Sequence, residues 1–507
     1  MKILLFGKFR FYFEVNVLFT DGLFVQCMQK FKDKETIKNI FKRNLFYLRS
    51  KISLSRKTNL SNIRFLSRRG YLHLFLFFLF CSLPATSWGN PLEETLSNGL
   101  NVLILKNPGT SSVAVDLWVK TGSRYESPKT NGISHFVEHL LFKGTSKRTA
   151  KDISREIAAV GGILNGYTHW EYTQLHISLL PLHLGLALEI LADIGQNSLM
   201  AEEMVEKERN VILEEISLAN IYPPSYILNL VSSTLFPENP LGMPIAGTKE
   251  TVGAIRRQDL LQFYRNHYVP NNIFLTIVGN VDPQTGLGLI REKFASWPKG
   301  NQLPPSPFPP YRQEKLIEVR ERKFLDQAIV VLALQAMALG DIDRPAFEII
   351  NATLGSGGNS RLYQEIREKR GLSYLVGSLY HPLSDTGLWA TYAGTDPKNI
   401  EQIQSIFSQQ IKKIQQEPLS PSELAEIKNY IRGRTLIRNE NNSTLAEFVG
   451  QGLLAGSWSL PEEFISKIQK VRAEDVTRVA RTYLREDQRN VIILKPYPGL
   501  RLLRGLF

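Results

Sequence analysis

His135 and His139 stand four residues apart in the run SHFVEHLLFKGT (134–145), with Glu138 directly before the second histidine. On a helix, positions i and i+4 lie one above the other, so both imidazoles can address a single ion. Glu138 is three residues after His135 and lies beside them. A carboxylate placed there need not be a ligand and can instead take a proton from a water at the metal, which is what metal-assisted hydrolysis requires. The chain has eight histidines in 507 residues, so a chance H-x-x-E-H is on the order of one per cent.

H-x-x-E-H is the reverse of the commoner zinc-protease order H-E-x-x-H, and a catalytic zinc needs a third protein ligand. The helical stretch EEMVEKERNVILEEISLANI (202–221) can supply one. Glu208 and Glu215 are seven residues apart and share a face with Val211 and Ile212, an apolar stripe expected to look inward. Most helical carboxylates are solvated, so two acids on that stripe stand out. A closed structural zinc site normally has four ligands rich in Cys. Here the two cysteines, Cys27 and Cys81, fall within the first 89 residues. Beyond them a disulfide, a thiolate metal site and a cysteine nucleophile are excluded.

The elements that hold these residues belong to a chain long enough for two or three domains. Its formal charge of +13 is uneven: residues 1–89 carry 16 Lys and Arg against 4 Asp and Glu, and the remainder is close to neutral at +1. A basic surface for nucleic acid therefore has no basis in the globular part, and no nucleic-acid partner is expected. SRRG (67–70), the apolar run YLHLFLFFLFCSL (71–83) and PATSWGN (84–90) follow the order of a secretion signal, with a cut expected after Ser87. Such a run falls short of the roughly 20 residues that span a bilayer. The expected location is secreted or periplasmic, with membrane attachment only if this leader stays uncleaved. Residues 1–65 are unusual upstream of a signal and point to a translation start further in.

Alternating apolar residues in NVLILKN (101–107) and SVAVDLWVKTG (112–122) predict strands, and 3.6-residue periodicity over 182–194 and 200–220 predicts helices. Clustered prolines in WPKGNQLPPSPFPPYRQE (297–314) interrupt both. The chain thus divides into a leader (1–89), a metal-bearing domain (92–298), a linker (299–314) and a second domain (315–497). Each domain opens with strands, passes to helices, returns to strand in TQLHISLLP or TGLWATYAG, and continues into a long helix. The predicted fold class is α+β, two similar α/β domains related by duplication.

HFVEHLLFKGT (135–145), ERNVILEEI (208–216), LNGYTHWEYT (164–173), LFPENPLG (235–242) and NHYVPNNIFLTIVGNVDP (266–283) together resemble the pitrilysin/insulinase zinc peptidases, in the processing-peptidase branch with two domains per chain. The resemblance runs from about 92 to 495. It implies His135, His139 and Glu215 as ligands of one zinc per chain, Glu138 as general base, and Glu208 as an acid supporting the ligands from behind. It further implies a substrate laid as an extended strand along Asn165, Gly166 and Thr168. In SRLYQEIREKRGLSYLVGS (360–378), Arg367 and Tyr374 match an Arg/Tyr pair that the family supplies to substrate from its non-catalytic domain. Two positions depart from the pattern. Gly166 stands where Ala is common, on the substrate strand, and Asn239 stands where His is common. The glycine-rich GSGGNS (355–360) lacks the context of a phosphate-binding loop and reads as a connection between helices.

The resemblance implies a zinc endopeptidase acting on peptides or unfolded segments inside a closed chamber of four domains. Two chains would build it, as a homodimer or as a heterodimer with a related subunit. The rival reading is a non-catalytic subunit of processing-peptidase type that holds substrate or supports assembly. The intact HFVEH and Glu215 argue against it.

Overall fold

The computed structural model describes residues 91–301, 317–323, 325–456 and 458–497. The leader and most of the linker lie outside the described residues. The first half runs β1 (Leu92–Thr95), β2 (Asn101–Lys106), β3 (Val113–Val119), α1 (Ile133–Leu141), α2 (Ala150–Ala159), β4 (Ile163–Thr168), β5 (Thr173–Leu179), α3 (Leu184–Asn197), α4 (Glu202–Ile221), α5 (Pro223–Leu235), α6 (Lys249–Ala254), α7 (Arg257–His267), β6 (Ile273–Gly279) and α8 (Pro283–Phe294). The second runs β7 (Glu318–Lys323), β8 (Ala328–Ala336), α9 (Arg344–Gly355), a π-helical turn (Tyr363–Glu368), β9 (Val376–Pro382), β10 (Gly387–Thr395), α10 (Ile400–Gln416), α11 (Pro421–Arg438), α12 (Asn442–Leu454), α13 (Pro461–Lys470), α14 (Ala473–Tyr483) and β11 (Asn490–Pro496).

The first sheet has the order β1-β2-β6-β3-β5-β4 and the second β7-β11-β8-β10-β9. Without β1 the two orders coincide, each with one parallel pair, β2 with β6 and β11 with β7. The duplication expected from the element pattern is therefore explicit in the strand pairing. Strands β3 and β6 are buried along their whole length. That is why they read as nearly continuous apolar runs rather than as strict alternation. One face of the first sheet carries its own helices, with Phe136 and Leu140 of α1, Leu188 and Leu191 of α3 and Ile212 of α4 packed on Val115, Leu117 and Leu175.

The other face is covered by the opposite half. Leu445, Ala446 and Val449 of α12 pack on Leu103, Leu105, Ala114 and Val278 of the first sheet. A Cβ at Gly450 would lie 2.2 Å from the Trp118 ring, so glycine is required for that approach. In return Ile227, Val231 and Leu235 of α5 pack on Ile329, Val331, Leu388 and Ile492 of the second sheet. Each Leu, Ile or Val side chain fully buried this way contributes roughly 1.5–3 kcal/mol. Residues 92–298 expressed alone should therefore be insoluble or molten, exposing the sheet face that α12 covers. Co-expression with 315–497 should restore a cooperative unfolding transition, followed by circular dichroism. Among the described residues, no helix is long and apolar enough to cross a membrane.

Candidate metal centre

Helix α1, which carries both histidines, starts without a side-chain cap on its own N-cap residue. Gly132 occupies that position at φ +96°, a conformation open to glycine, and a Cβ there would meet the Ala246 carbonyl at 2.7 Å. The cap comes instead from Glu126. Its carboxylate accepts from Gly132 N (2.7 Å), Ser134 N (2.8 Å) and Asn131 Nδ2 (2.9 Å). It thereby satisfies donors at the helix start and places negative charge at the positive end of the dipole. Burial pushes the Glu126 carboxyl up to about 7, against the pull of these donors. Sequence reasoning misses Glu126, because its only local signal is an acid shortly before a helix start.

On α1 the rings of His135 and His139 meet edge to face, centroids 4.6 Å apart. His139 Nδ1 lies 3.3 Å from Glu208 Oε2, and Glu208, itself buried, receives Lys143 Nζ on Oε1 at 2.9 Å. A carboxylate at Nδ1 fixes the proton on that nitrogen and turns the Nε2 lone pair to the other side of the ring. On that side stands Glu215, with Oε2 3.5 Å from His139 Nε2 and 3.8 Å from His135 Nε2. Burial, with His139 nearby, holds the His135 imidazole at about 3, so its ring is neutral and has a lone pair to offer.

Donor atoms of His135, His139 and Glu215 all lie within 4.8 Å of one another, and no other such group converges among the described residues. The two nitrogen–oxygen separations are long for hydrogen bonds. They are close to the edge of a tetrahedron about zinc, about 3.4 Å for metal–ligand bonds of about 2.0–2.1 Å. Two imidazoles and a carboxylate, with one imidazole backed by an acid, form a donor set that suits zinc. Glu214, next to Glu215, is exposed. The apolar stripe expected on α4 needs one correction. Glu208 and Ile212 are buried but Val211 is 41 % exposed, because Val205, Glu208, Ile212 and Ile216 define the inward face and Val211 lies about 100° away from Ile212.

Glu138 is buried between α1 and β4. Its Oε2 accepts from Thr168 Oγ1 at 3.1 Å, and a Cβ on Gly166 would fall 2.3 Å from its Oε1. An alanine at this position would require the Glu138 carboxylate and the Phe142 ring to shift from where they now rest against the strand. Burial raises the proton affinity of Glu138, and Glu215 adds to the effect. Among the described residues, strand β4 pairs only with β5, which leaves the outer backbone edge of Asn165, Gly166 and Thr168 open there. Two cavities flank it. One of about 610 Å³ is lined by His135, Glu138, Tyr167 and the 244–250 segment. The other, about 400 Å³, is lined by Phe142, Ile153, Ile157 and Leu164 together with Glu138, Lys143, Ser154 and Asn165.

Arg367 and Tyr374 line neither cavity. Their side chains stack on one another at 4.9 Å, Arg367 also covers Tyr363, and Tyr374 is 82 % exposed. His176 is committed elsewhere, with Nδ1 2.5 Å from the buried Asp116.

Known proteins resemble this chain over most of its length. A family profile described as insulinase (peptidase family M16) matches residues 101–249, and one described as peptidase M16 inactive domain matches 254–431. An uncharacterized zinc protease of Streptomyces coelicolor is 34 % identical over 402 residues, covering 78 % of this chain and 88 % of that protein. The chain belongs to the insulinase family of peptidases. An uncharacterized zinc protease of Bacillus subtilis, 30 % identical, covers 78 % of this insulinase-family chain and is itself covered to 95 %. The crystal structure of a protease from Helicobacter pylori superposes with a TM-score of 0.77 at 24 % identity, over 81 % of this chain and 100 % of that one, which shows the shared fold. Within the insulinase-family chain, His135, Glu138, His139 and Glu215 all fall in the stretch matched by the first profile. Arg367 and Tyr374 fall in the stretch matched by the second.

Proposed function

We propose that this chain is a zinc-dependent endopeptidase that hydrolyses peptides or unfolded segments bound as an extended strand along β4. The observation that carries the reading is the convergence of His135, His139 and Glu215 beside a buried Glu138 that faces an open sheet edge. Zinc held by those three side chains would supply Lewis acidity to a water molecule and to the scissile carbonyl.

The remaining work falls to residues of the chain. Glu138 takes the proton of the attacking water and later gives it to the leaving amine, and its burial favours the protonated form that must persist between the two transfers. Thr168 holds the carboxylate on the strand side while it does so. The open backbone of β4 pairs with the substrate main chain, which fixes register with little demand on side-chain identity. The cavity lined by Phe142, Ile153, Ile157 and Leu164 together with Lys143, Ser154 and Asn165 would then receive a substrate side chain near the cleaved bond.

Purified protein should contain one zinc per chain and digest an unstructured peptide. A chelator should abolish digestion, and added zinc should restore it. Zinc-loaded protein that binds an unfolded peptide without cleaving it would instead mark a substrate-holding subunit.

A further inference from the structure

Arg124 lies in the short turn between β3 and α1 and is buried. Its Nη1 donates to Glu171 Oε1 (2.7 Å) and to Asp385 Oδ1 (2.7 Å), and its Nη2 donates to Asp385 Oδ2 (2.5 Å). Glu171 belongs to the four-residue turn that joins β4 to β5. Asp385 belongs to the turn that joins β9 to β10 in the second half. These two turns occupy equivalent places in the two duplicated sheets, and they meet here. Ser384 closes the junction, its backbone N donating to Glu171 Oε2 at 2.8 Å and its Oγ to Glu171 Oε1 at 2.5 Å.

The junction leads to the candidate site by two short routes. Ser123 N and Arg124 N donate to the carbonyls of His169 and Trp170, so the segment is bonded to the β4–β5 turn. Gly122 permits this approach, since a Cβ there would lie 2.1 Å from the His169 oxygen. One residue before His169 is Thr168, which holds Glu138. Two residues after Arg124 is Glu126, which caps the helix that carries both histidines. A guanidinium between two carboxylates in a buried place is costly unless every partner stays put, so the arrangement fixes the relative positions of three segments.

We infer that the Ser384–Asp385 turn of the second half, acting through Arg124 and Glu171, is a positioning element for β4, the strand on which we place the substrate. The inference rests on the peptidase reading for what β4 binds, but the coupling of the turn to β4 is independent of it. The expected signature is a loosened strand with an intact metal centre. Glu126, His135, His139 and Glu215 keep their own partners when Asp385 is lost, whereas the β4–β5 turn keeps its bonds to Ser384 and to the 123–124 backbone but is held by an Arg124 that has lost its anchor in the second half.

The test uses the full-length chain carrying Glu138→Gln, so that binding is read without turnover, with and without Asp385→Ala. Asp385 is partly exposed, so the variant should fold, and Ser384→Ala serves as a milder second variant. Hydrogen exchange over residues 163–172 should accelerate about tenfold in the Asp385 variant. Zinc content should not change, and the Kd of a fluorescent unstructured peptide should rise about tenfold, the scale of one charge-assisted hydrogen bond. Asp385→Asn, which keeps an acceptor, should recover part of both effects. Unchanged exchange over 163–172 in both the Asp385 and Ser384 variants overturns the inference. Faster exchange with unchanged peptide affinity overturns the positioning role. If the Glu138→Gln parent binds no peptide at all, the substrate reading fails, and exchange alone decides whether the turn holds β4.

Discussion

Glu138→Gln should yield a protein that keeps its zinc and hydrolyses peptides roughly 10²–10⁴-fold more slowly, the scale of a lost general base. Gln has nearly the shape of Glu, so the Thr168 hydroxyl can still donate to the side-chain oxygen and the close fit against Gly166 is preserved. What disappears is the ability to take a proton. Glu138 is not among the converging donor atoms, so metal content, read by atomic absorption, should stay at the parent level. Turnover near that of the parent, at equal zinc, would show that another group is the base.

Glu215→Gln should have its large effect on the metal instead. Partners of metal ligands are worth roughly 10–100-fold in affinity, and loss of a ligand should cost at least about 100-fold, measured by competition with a chromogenic chelator. Glu214→Gln is the control. Adjacent helical positions point about 100° apart, and Glu214 is exposed while Glu215 lies against both histidines. The opposite ranking of the two variants would place the metal on another face of α4. Glu208→Gln should fall between them, because it touches the ring of His139 on Nδ1, away from Glu215.

Much of this arrangement is legible in the order of residues alone. The i, i+4 spacing of His135 and His139 places both rings on one face of any helix, whatever that helix packs against. The apolar runs at 101–107 and 112–122, and the long period in 200–220, locate β2, β3 and α4 to within a few residues. These signals are local, set by backbone geometry repeated every two or 3.6 residues. The proline-rich break likewise marks the change from one duplicated sheet to the next.

Other features follow from where distant elements cross, and periodicity does not contain that information. From sequence geometry, Glu208 and Glu215 are equivalent acids two helical turns apart. Only the crossing of α4 over α1 puts one at Nδ1 of His139 and the other at Nε2. The same crossing turns Val211 outward. Glu126 as the cap of α1, and Arg124 as the tie between equivalent turns of the two halves, depend on loops whose path is set by tertiary packing. The exchange of α5 and α12 between sheets is of the same kind. An amphipathic stretch announces that it needs an apolar partner, but hydrophobic burial is non-directional. Which sheet supplies that partner is decided only when the whole chain closes.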